Sequence, residues 1–489
     1  MPRVDQLSAA TTGDPGTAAA APRPTPSGRV PAAGLSLAPF RGLRYAPERV
    51  KSLAAVTSPP YDVVDPDSRA SLETADPHNI VRLILPSGSD AVDGYRNAAA
   101  LLARWRREGV LRPDPEPALY VYEQRVPAGE VDSARAGDGD GGGTAGATAV
   151  VQRGLIGALA VTGPEAGIVL PHEDVMPRPV ADRVGLMRST RANLEPLLLT
   201  YQGGGAAAEV VERAAAGPPL LSTTTVDGTC HRLWAVTDRC DQAAVADDLS
   251  TCRALIADGH HRWAMYRRLQ HEHRYLARSP WERGLVLLVD TARYPLQVRA
   301  IHRVLRQLPP DRALAAVAGR PGWTVSPLTG SPAHALARLA EVKETPGPDA
   351  VPANAFVLTD GERHHLISAR PEDLPAEAFP AGRPAAWRQL DAAVLHALLL
   401  DRVWRVPDAP EHIGYLHDLD GAVREARRTG GTAVLMHPVA EAIVRELAEQ
   451  GVTMPRKSTS FGPKPATGLV LRSIDLDPGC PENERGPAG

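Results

Sequence analysis

Runs of apolar residues alternate along the chain with stretches in which apolar positions recur every three or four residues. The first pattern is typical of buried strands, and the second of helices packed on one face. Strands are predicted over 79–85, 118–126, 150–161, 195–201, 231–236, 253–257, 283–289, 353–358 and 432–436. Helices are predicted over 90–108, 182–193, 260–274, 311–319, 332–342, 388–401, 418–428 and 439–449. This mixture predicts an α/β protein of the mixed α+β kind, with a mixed sheet core and flanking helices.

The polar, Pro- and Gly-rich stretches predict how the chain is divided. Residues 1–36 and 474–489 have the composition of disordered tails. A core domain is expected at 37–310, with a flexible Gly-rich loop at 128–148. A C-terminal α/β portion at 311–473 is expected to close the functional site of the protein.

Composition narrows the class of protein. The chain has 489 residues and a formal net charge of −3, so no global basic field attracts nucleic acid, and a nucleic-acid partner is not expected. The four cysteines form no C-x-x-C pair, which fits a reduced compartment. No apolar run reaches the roughly 18 residues of a membrane span. We expect a cytoplasmic protein that binds a small molecule; the sequence leaves its oligomeric state open.

The segment LIADGHHRWAMYRRL, residues 255–269, carries the first candidate chemistry. A strand ending at Asp258 would pass through Gly259 into a helix, whose first amides attract anions. Arg262 adds a guanidinium suited to phosphate oxygens, and His260 and His261 can move protons. Gly259 and Arg262 are therefore predicted to bind a nucleotide. Asp258 could instead simply cap the helix beside solvated histidines, or act with them as a metal ligand.

A His-Glu pair in a loop-like setting is the second candidate for a functional site. His172 and Glu173 follow Pro171, after an apolar run. Glu173 could accept a proton from a hydroxyl while His172 orients the substrate. A lone pair of this kind is also common in purely structural settings.

A proline-rich basic segment, MPRKSTSFGPKPATGLVL at 454–471, is the third candidate for a functional site. Prolines restrict the loop, so its donors are held at a lower entropy cost. Lys457, Ser458, Thr459 and Lys464 are predicted to contact the nucleotide, although a charged surface loop would look the same.

Other polar side chains near turns and element ends are candidates for binding the substrate. One ends the constrained SPPYD turn and one ends the PHN segment. The others lie near a predicted strand start, at a predicted helix end and in the segment AIHRVL. The candidates are Asp62, Asn79, Arg82, Asn193, His302 and Arg303.

Taken in order, SPPYDVV, PHEDVMPRPVADRVGLMRSTRANLEP, IADGHHRW and MPRKSTSFGPKPATGLV resemble an uncharacterised prokaryotic family, a conserved domain of unknown function. The resemblance covers about residues 37–473. Members usually have Tyr where this chain has Trp263, and PTHR where it has AIHR. The family implies no established reaction.

The short segment ADGHHR also resembles the phosphate-binding turn of the ParB and sulfiredoxin superfamily, which includes free-serine kinases. The resemblance implies a ParB-like element around this turn. It also implies that Gly259, His260, His261 and Arg262 hold the phosphates of a nucleotide, ATP or ADP. It assigns no base, and Glu173 is chosen on chemical grounds alone.

Three functions follow as hypotheses. The first is a nucleotide-dependent, kinase-like phosphotransferase acting on a small hydroxyl-bearing metabolite such as serine, in which Asp258 or Glu173 acts as base or holds Mg²⁺. The second is a metal-dependent phosphoesterase using Asp258, His260, His261 and His172. The third is a non-enzymatic, ParB-like regulatory protein that responds to nucleotide or DNA.

Overall fold

The computed structural model describes residues 34–127, 148–274, 279–344 and 353–477. The tail predictions at 1–33 and 478–489, and nearly all of the predicted flexible loop at 128–148, lie outside these residues. At the C-terminal end, Ile474–Leu476 forms a short 3-10 helix whose Ile474 is buried. The packed chain therefore extends into the segment assigned to the tail.

The largest sheet of the described residues is mixed and has nine strands. Most neighbours are antiparallel, but Leu197–Tyr201 runs parallel to Arg283–Asp290, and Val169–Leu170 parallel to Ala254–Asp258. Leu37–Ala38 joins off the main path, against Thr148–Ala160. The order along the path is Val169–Leu170, Ala254–Asp258, Leu197–Tyr201, Arg283–Asp290, Thr148–Ala160, Leu119–Pro127, Cys230–Val236 and Leu221–Thr224.

Three smaller sheets complete the strand content of the described ranges. The six-stranded sheet is antiparallel, in the order Trp323–Leu328, His364–Ala369, Asn354–Thr359, Thr432–Leu435, His302–Leu305 and Ile413–Leu416. The four-stranded sheet consists of Leu111–Pro113, Gly42–Tyr45, Leu471–Ser473 and Ala192–Asn193. The two-stranded sheet pairs Gln297–Arg299 with Ser460–Gly462.

Helices flank these sheets, as the fold-class prediction requires. In the part of the chain that the structure describes, the α-helices are Leu53–Val56, Pro66–Ala75, Val81–Ile84, Ala91–Arg107, Pro177–Thr190, Ala206–Ala216, Arg239–Leu249, His260–Glu272, Pro310–Val317, Pro332–Glu344, Asp391–Val394, Leu419–Thr429 and Glu441–Glu449. Asp391–Val394 continues as a π-helix over Leu395–Trp404. The mixed α/β class is confirmed.

One predicted strand is wrong. Residues 79–85 contain the helix Val81–Ile84, whose Val81, Leu83 and Ile84 are all buried. A short apolar run that is buried all round has no periodicity to distinguish helix from strand. Asn79 decides the outcome, since its side-chain oxygen accepts a hydrogen bond from the Val81 amide at the start of the turn.

One cluster of buried side chains contains residues of both large sheets. Leu198 and Leu287 of the nine-stranded sheet belong to it together with Leu305 and Phe356 of the six-stranded sheet, and Leu399 of the π-helix adds to it. The predicted boundary at residue 310 stays a prediction. The strand His302–Leu305, before that position, already belongs to the six-stranded sheet.

Candidate active site

Two neighbouring parallel strands bring two of the predicted segments together. Val169–Leu170 and Ala254–Asp258 pair in parallel, with Val169 opposite Ala254. Because parallel strands end at the same edge of a sheet, Asp258, the last residue of its strand, and Glu173, which follows the other strand, lie at the same edge. The helix His260–Glu272 begins directly after Gly259, as the sequence pattern predicts.

Gly259 has a left-handed backbone, with φ of +102°. A Cβ atom at this position would lie 2.9 Å from Cγ of Leu197, so the turn requires glycine for both conformation and space. The following helix has thirteen residues, and its first amides have no partner within the helix. The turn therefore presents N–H groups at the edge of the sheet.

The first part of the predicted proline-rich segment, residues 454–464, lies against the same edge of the sheet. We refer to these residues as the basic segment. Met454 forms an isolated parallel bridge with Glu173, and its amide donates to the carbonyl of His172 at 2.8 Å. Lys457 has a left-handed backbone with φ of +59°, a conformation that costs a non-glycine residue on the order of 1–3 kcal/mol. Nη2 of Arg303 holds the Lys457 carbonyl at 2.9 Å. Strain held in place by neighbouring contacts is common at functional sites.

The three predicted segments meet in one cleft of about 490 Å³, which we call the catalytic cleft. Its walls include side chains from the SPPYD turn, from the His-Glu loop, from the DGHHR turn and from the basic segment. They include Tyr61, Asp62, His172, Glu173, Asp258, Gly259, His260, His261, Arg262, Lys457, Thr459 and Lys464.

A chain of ion pairs crosses the cleft. Nζ of Lys464 lies 2.5 Å from a carboxylate oxygen of Asp62 and 2.6 Å from Oδ1 of Asp258. Oδ2 of Asp258 in turn accepts from Nη2 of Arg262 at 2.7 Å. Burial raises the pKa of Asp258, but Lys464 and Arg262 outweigh that effect and the net shift is downward, so this carboxylate is ionised.

Arg262 lines the cleft, but the hydrogen bonds of its guanidinium go to other groups of the protein. Only 4% of it is exposed; besides its bond to Asp258, its Nη1 donates to the carbonyl of Pro196 at 2.9 Å. Its charge is also stabilised by the buried Glu195. Phosphate binding by Arg262 therefore stays a prediction, and the observed contacts fix the orientation of Asp258.

Replacing Arg262 by Met should destabilise the fold strongly. Asp258 and Glu195 would lose a buried counter-charge, and breaking a buried pair costs roughly 3–5 kcal/mol. Urea unfolding measures the effect, and Arg268→Met is a matched control on the same helix. Arg268 pairs with Glu272 at 3.2 Å, at the surface, where such pairs contribute about 0–1 kcal/mol. Equal effects of the two substitutions would contradict the assigned role.

The histidines serve as neutral acceptors. Nε2 of His260 accepts from the amide of His172 at 3.3 Å, and Nε2 of His261 accepts from the amide of Met176 at 3.1 Å. Burial lowers the pKa of His260 to about 3 and lowers the pKa of His261 as well. Both rings therefore tie the start of the helix to the loop that carries Glu173; His260 is buried rather than solvated, whereas His261 is half-buried at the wall of the cleft.

His172 is buried, and its Nε2 lies 2.9 Å from the hydroxyl of Thr459. This contact gives Thr459 a partner inside the protein. The predicted metal site would need His172, His260, His261 and Asp258 to converge on an ion. Within the described ranges, no group of three or more His, Cys, Asp or Glu side chains is arranged to hold a metal. The observed contacts do not assemble that ligand set.

Glu173 is the acid of the cleft whose pKa is raised to near neutrality. It is half-buried, and its Oε1 accepts from the amide of Ser458 at 3.2 Å. Burial raises its pKa to about 7, although Lys457 and the Ser458 amide act in the opposite direction. A carboxylate with a pKa near neutrality is suited to accept a proton at physiological pH.

The Glu173→Gln protein should become more stable than the natural protein as pH rises. Below about pH 4.5 the carboxyl is protonated in both folded and unfolded chains. Between that pH and about 7 only the folded chain keeps the proton, so ionisation weakens folding and the penalty is complete above 7. We expect a relative gain of about 1–3 kcal/mol between pH 5 and pH 8. Urea unfolding at both values checks it; the exposed Glu165→Gln should show no such dependence.

Four predicted substrate contacts lie elsewhere. The side-chain amide of Asn79 donates to the carbonyls of Ala55 and Thr57, and the Arg82 guanidinium donates to the carbonyl of Glu73. These two, Asn193 and His302 are absent from the described lining of the cleft. Oδ1 of Asn193 accepts from Leu285 and Arg472, and Nδ1 of His302 accepts from the Met436 amide. We therefore leave all four out of the proposed site.

Arg303 and Ser458 are absent from the described lining of the catalytic cleft. Both line a second cavity, of about 290 Å³. The Ser458 hydroxyl donates to the carbonyl of Pro455, and the Ser458 amide donates to Glu173. Of the predicted substrate contacts, Asp62 alone reaches the lining of the cleft among the described residues.

Several cleft residues were not predicted from the sequence. Tyr61 stacks under the Arg183 guanidinium at 4.2 Å, and its amide donates to Glu195. His417, after the strand Ile413–Leu416, also lines the cleft. The only sequence signal for them is adjacency to predicted segments: Tyr61 precedes Asp62, and His417 ends the segment IGYLH.

The strand–glycine–helix turn and the cleft beside it define a mixed α/β protein in which a helix begins at a sheet edge, beside a cleft. The chain matches the family model described as "Protein of unknown function (DUF1015)" over residues 37–137 and 144–393, and it belongs to that family. No curated protein matches it.

Solved structures show distant likenesses, at TM-scores too low to bear on function. A conserved hypothetical protein from Pyrococcus furiosus has 15% identity and a TM-score of 0.32, covering 63% of this chain and 94% of its own. A free serine kinase in complex with AMP has 14% identity and a TM-score of 0.32, covering 63% and 90%. SbnI with C-terminal truncation from Staphylococcus aureus has 11% identity and a TM-score of 0.33, covering 66% and 88%.

Among the helices of the described ranges, none combines the length and the apolarity that a membrane crossing requires.

Proposed function

We propose that this chain is a nucleotide-dependent phosphotransferase that acts on a small hydroxyl-bearing metabolite, such as serine. One observation carries the proposal: a half-buried glutamate with a pKa near 7 shares a cleft with the DGHHR turn and two lysines. Phosphoryl transfer depends mainly on positioning and on neutralising charge, and these groups supply both.

The phosphates of the nucleotide are proposed to lie between the Gly259 turn and the basic segment. Free amides at the start of the helix His260–Glu272 favour an anion. The Lys457 side chain is exposed and forms no ion pair within the described part of the chain, so its charge is available to a ligand. Lys464, held between Asp62 and Asp258, supplies a second, fixed positive charge.

Glu173 is the proposed base. Its Oε1 accepts from the Ser458 amide, which leaves Oε2 for the hydroxyl of the substrate. The hydroxyl oxygen forms a bond to the terminal phosphorus as its proton passes to Glu173. The bond between that phosphorus and the bridging oxygen breaks, and its electron pair leaves with the shortened nucleotide.

Mg²⁺ is part of the proposal only as a companion of the nucleotide phosphates. This ion usually takes one or two carboxylates, with phosphate and water completing its shell. Both oxygens of Asp258 already accept from cations of the chain, and Asp62 shares Lys464 with it. The side chains as arranged do not form a magnesium site, so no step is assigned to the ion.

Transfer of label from nucleotide to metabolite tests the proposal. The purified protein is incubated with terminally labelled ATP or ADP and with serine or other small alcohols, and the phosphorylated product is separated. We expect transfer to at least one metabolite from one of the two nucleotides. A folded protein that transfers label to none of them, including water, would overturn the assignment as a phosphotransferase.

A further inference from the structure

The second cavity lies behind the wall formed by the basic segment. Lys457 and Thr459 line the catalytic cleft, whereas Ser458 between them lines the second cavity, and Ile301 borders both. The volume of the second cavity, about 290 Å³, is near the lower limit for small-molecule sites. Its lining is largely apolar and includes Leu390, Met436, Val439, Ile443 and Met454.

Arg303 is the exceptional group in that lining. It is 1% exposed, and no carboxylate of the described residues lies within ion-pair distance of it. Its Nη2 donates to the Lys457 carbonyl and contacts Nε2 of His396 at 3.3 Å, while its Nε has no hydrogen-bond partner among the described atoms. Its Nη1 donates to the Ile301 carbonyl, and Glu173 and Asp408 act on its charge from beyond ion-pair distance. Burial still lowers the pKa of Arg303, and a buried charge without a directly paired counter-ion is costly, which favours an anion supplied from outside.

The other charged or titratable side chains of the lining contact one another. Nζ of Lys343 lies 2.9 Å from Asp391, and Nε2 of His437 lies 3.1 Å from Glu344. Arg303 is therefore the charged side chain of the described lining that has no ion pair, and it is set in apolar walls. Its complement is a molecule with a single negative charge and an apolar body.

We propose that the second cavity binds a small organic acid, whose carboxylate pairs with Arg303 and whose apolar part packs against Met436, Ile443 and Met454. A guanidinium and a carboxylate have matching planar geometry. The site adjoins the catalytic cleft through two contacts, from Arg303 to the Lys457 carbonyl and from the Ser458 amide to Glu173. This inference does not depend on the phosphotransferase proposal.

Melting of the full-length protein with 4-methylpentanoate, and with its uncharged amide, tests the site without any nucleotide. The acid should raise Tm saturably, by about 2 °C or more at concentrations well above its dissociation constant, and the amide should not. An equal response to both compounds, or to inorganic phosphate, would overturn a carboxylate site. No response to the acid would overturn it as well.

Two variants locate the binding. Arg303→Met removes the charge, and Ala392→Leu fills part of the cavity while keeping Arg303. Either should abolish the response to the acid, whereas Arg299→Met, at an exposed position nearby, should keep it. If Arg303→Met does not fold, Ala392→Leu decides alone. A response that survives filling of the cavity contradicts the proposal.

Discussion

The Glu173→Gln protein should transfer phosphate about 10²–10⁴-fold more slowly than the natural protein, while still binding nucleotide. Glutamine can accept the Ser458 amide through its oxygen, as Oε1 of Glu173 does, but it cannot take a proton from the substrate. The natural protein should gain activity as pH rises through about 7, because only ionised Glu173 acts as a base. Single-turnover rates across pH 5–9, with binding measured separately, check both results.

The control for this prediction is Glu165→Gln, at an exposed position outside the cleft. It should leave both the rate and its pH dependence unchanged. A Glu173→Gln protein that keeps the natural rate, or loses activity only by losing nucleotide, would remove Glu173 from the role of base.

The Lys464→Met protein should bind nucleotide about 10–100-fold more weakly. Removing this cation leaves Asp62 and Asp258 without the charge that they share, so two carboxylates would face the incoming phosphates. Titration calorimetry with ATP and ADP measures the change in affinity.

A matched lysine separates this effect from a general loss of stability. Lys343 is also partly buried and paired with a carboxylate, that of Asp391, but it lies outside the catalytic cleft. Lys343→Met should destabilise the fold without changing the affinity for nucleotide.

A double substitution makes the same separation from the other side. Asp62→Asn with Lys464→Met removes one charge of each sign, so stability should recover while the nucleotide remains weakly bound. Natural affinity in Lys464→Met would show that phosphates do not bind beside this lysine.

The local pattern around Gly259 was predictable because its cause is local. An apolar run, one glycine and a helical stripe specify the turn without reference to the rest of the chain. The convergence of this turn with Glu173 and Lys464 depends on the pairing of Val169–Leu170 with Ala254–Asp258, which a single sequence does not encode in any short window.

The contacts that the structure shows for several predicted site residues were not predictable from the sequence, for physical reasons. Arg262 has the residue type of a phosphate ligand, but its contacts depend on Pro196, which is distant along the chain. Asn79 holds backbone groups of a neighbouring segment, and its polarity alone does not distinguish that role from substrate binding. That Arg303 is buried without an ion pair is visible only after its burial and the positions of the neighbouring carboxylates are known.

Melting of the natural protein in the presence of ATP, ADP or adenosine tests directly whether the cleft beside Gly259 binds phosphates. We expect ATP or ADP to raise Tm saturably by about 2 °C or more, and adenosine to have little effect. The response should be much weaker in Lys464→Met. If neither nucleotide raises Tm, or if adenosine raises it equally, phosphates do not bind at this turn and the proposed activity fails.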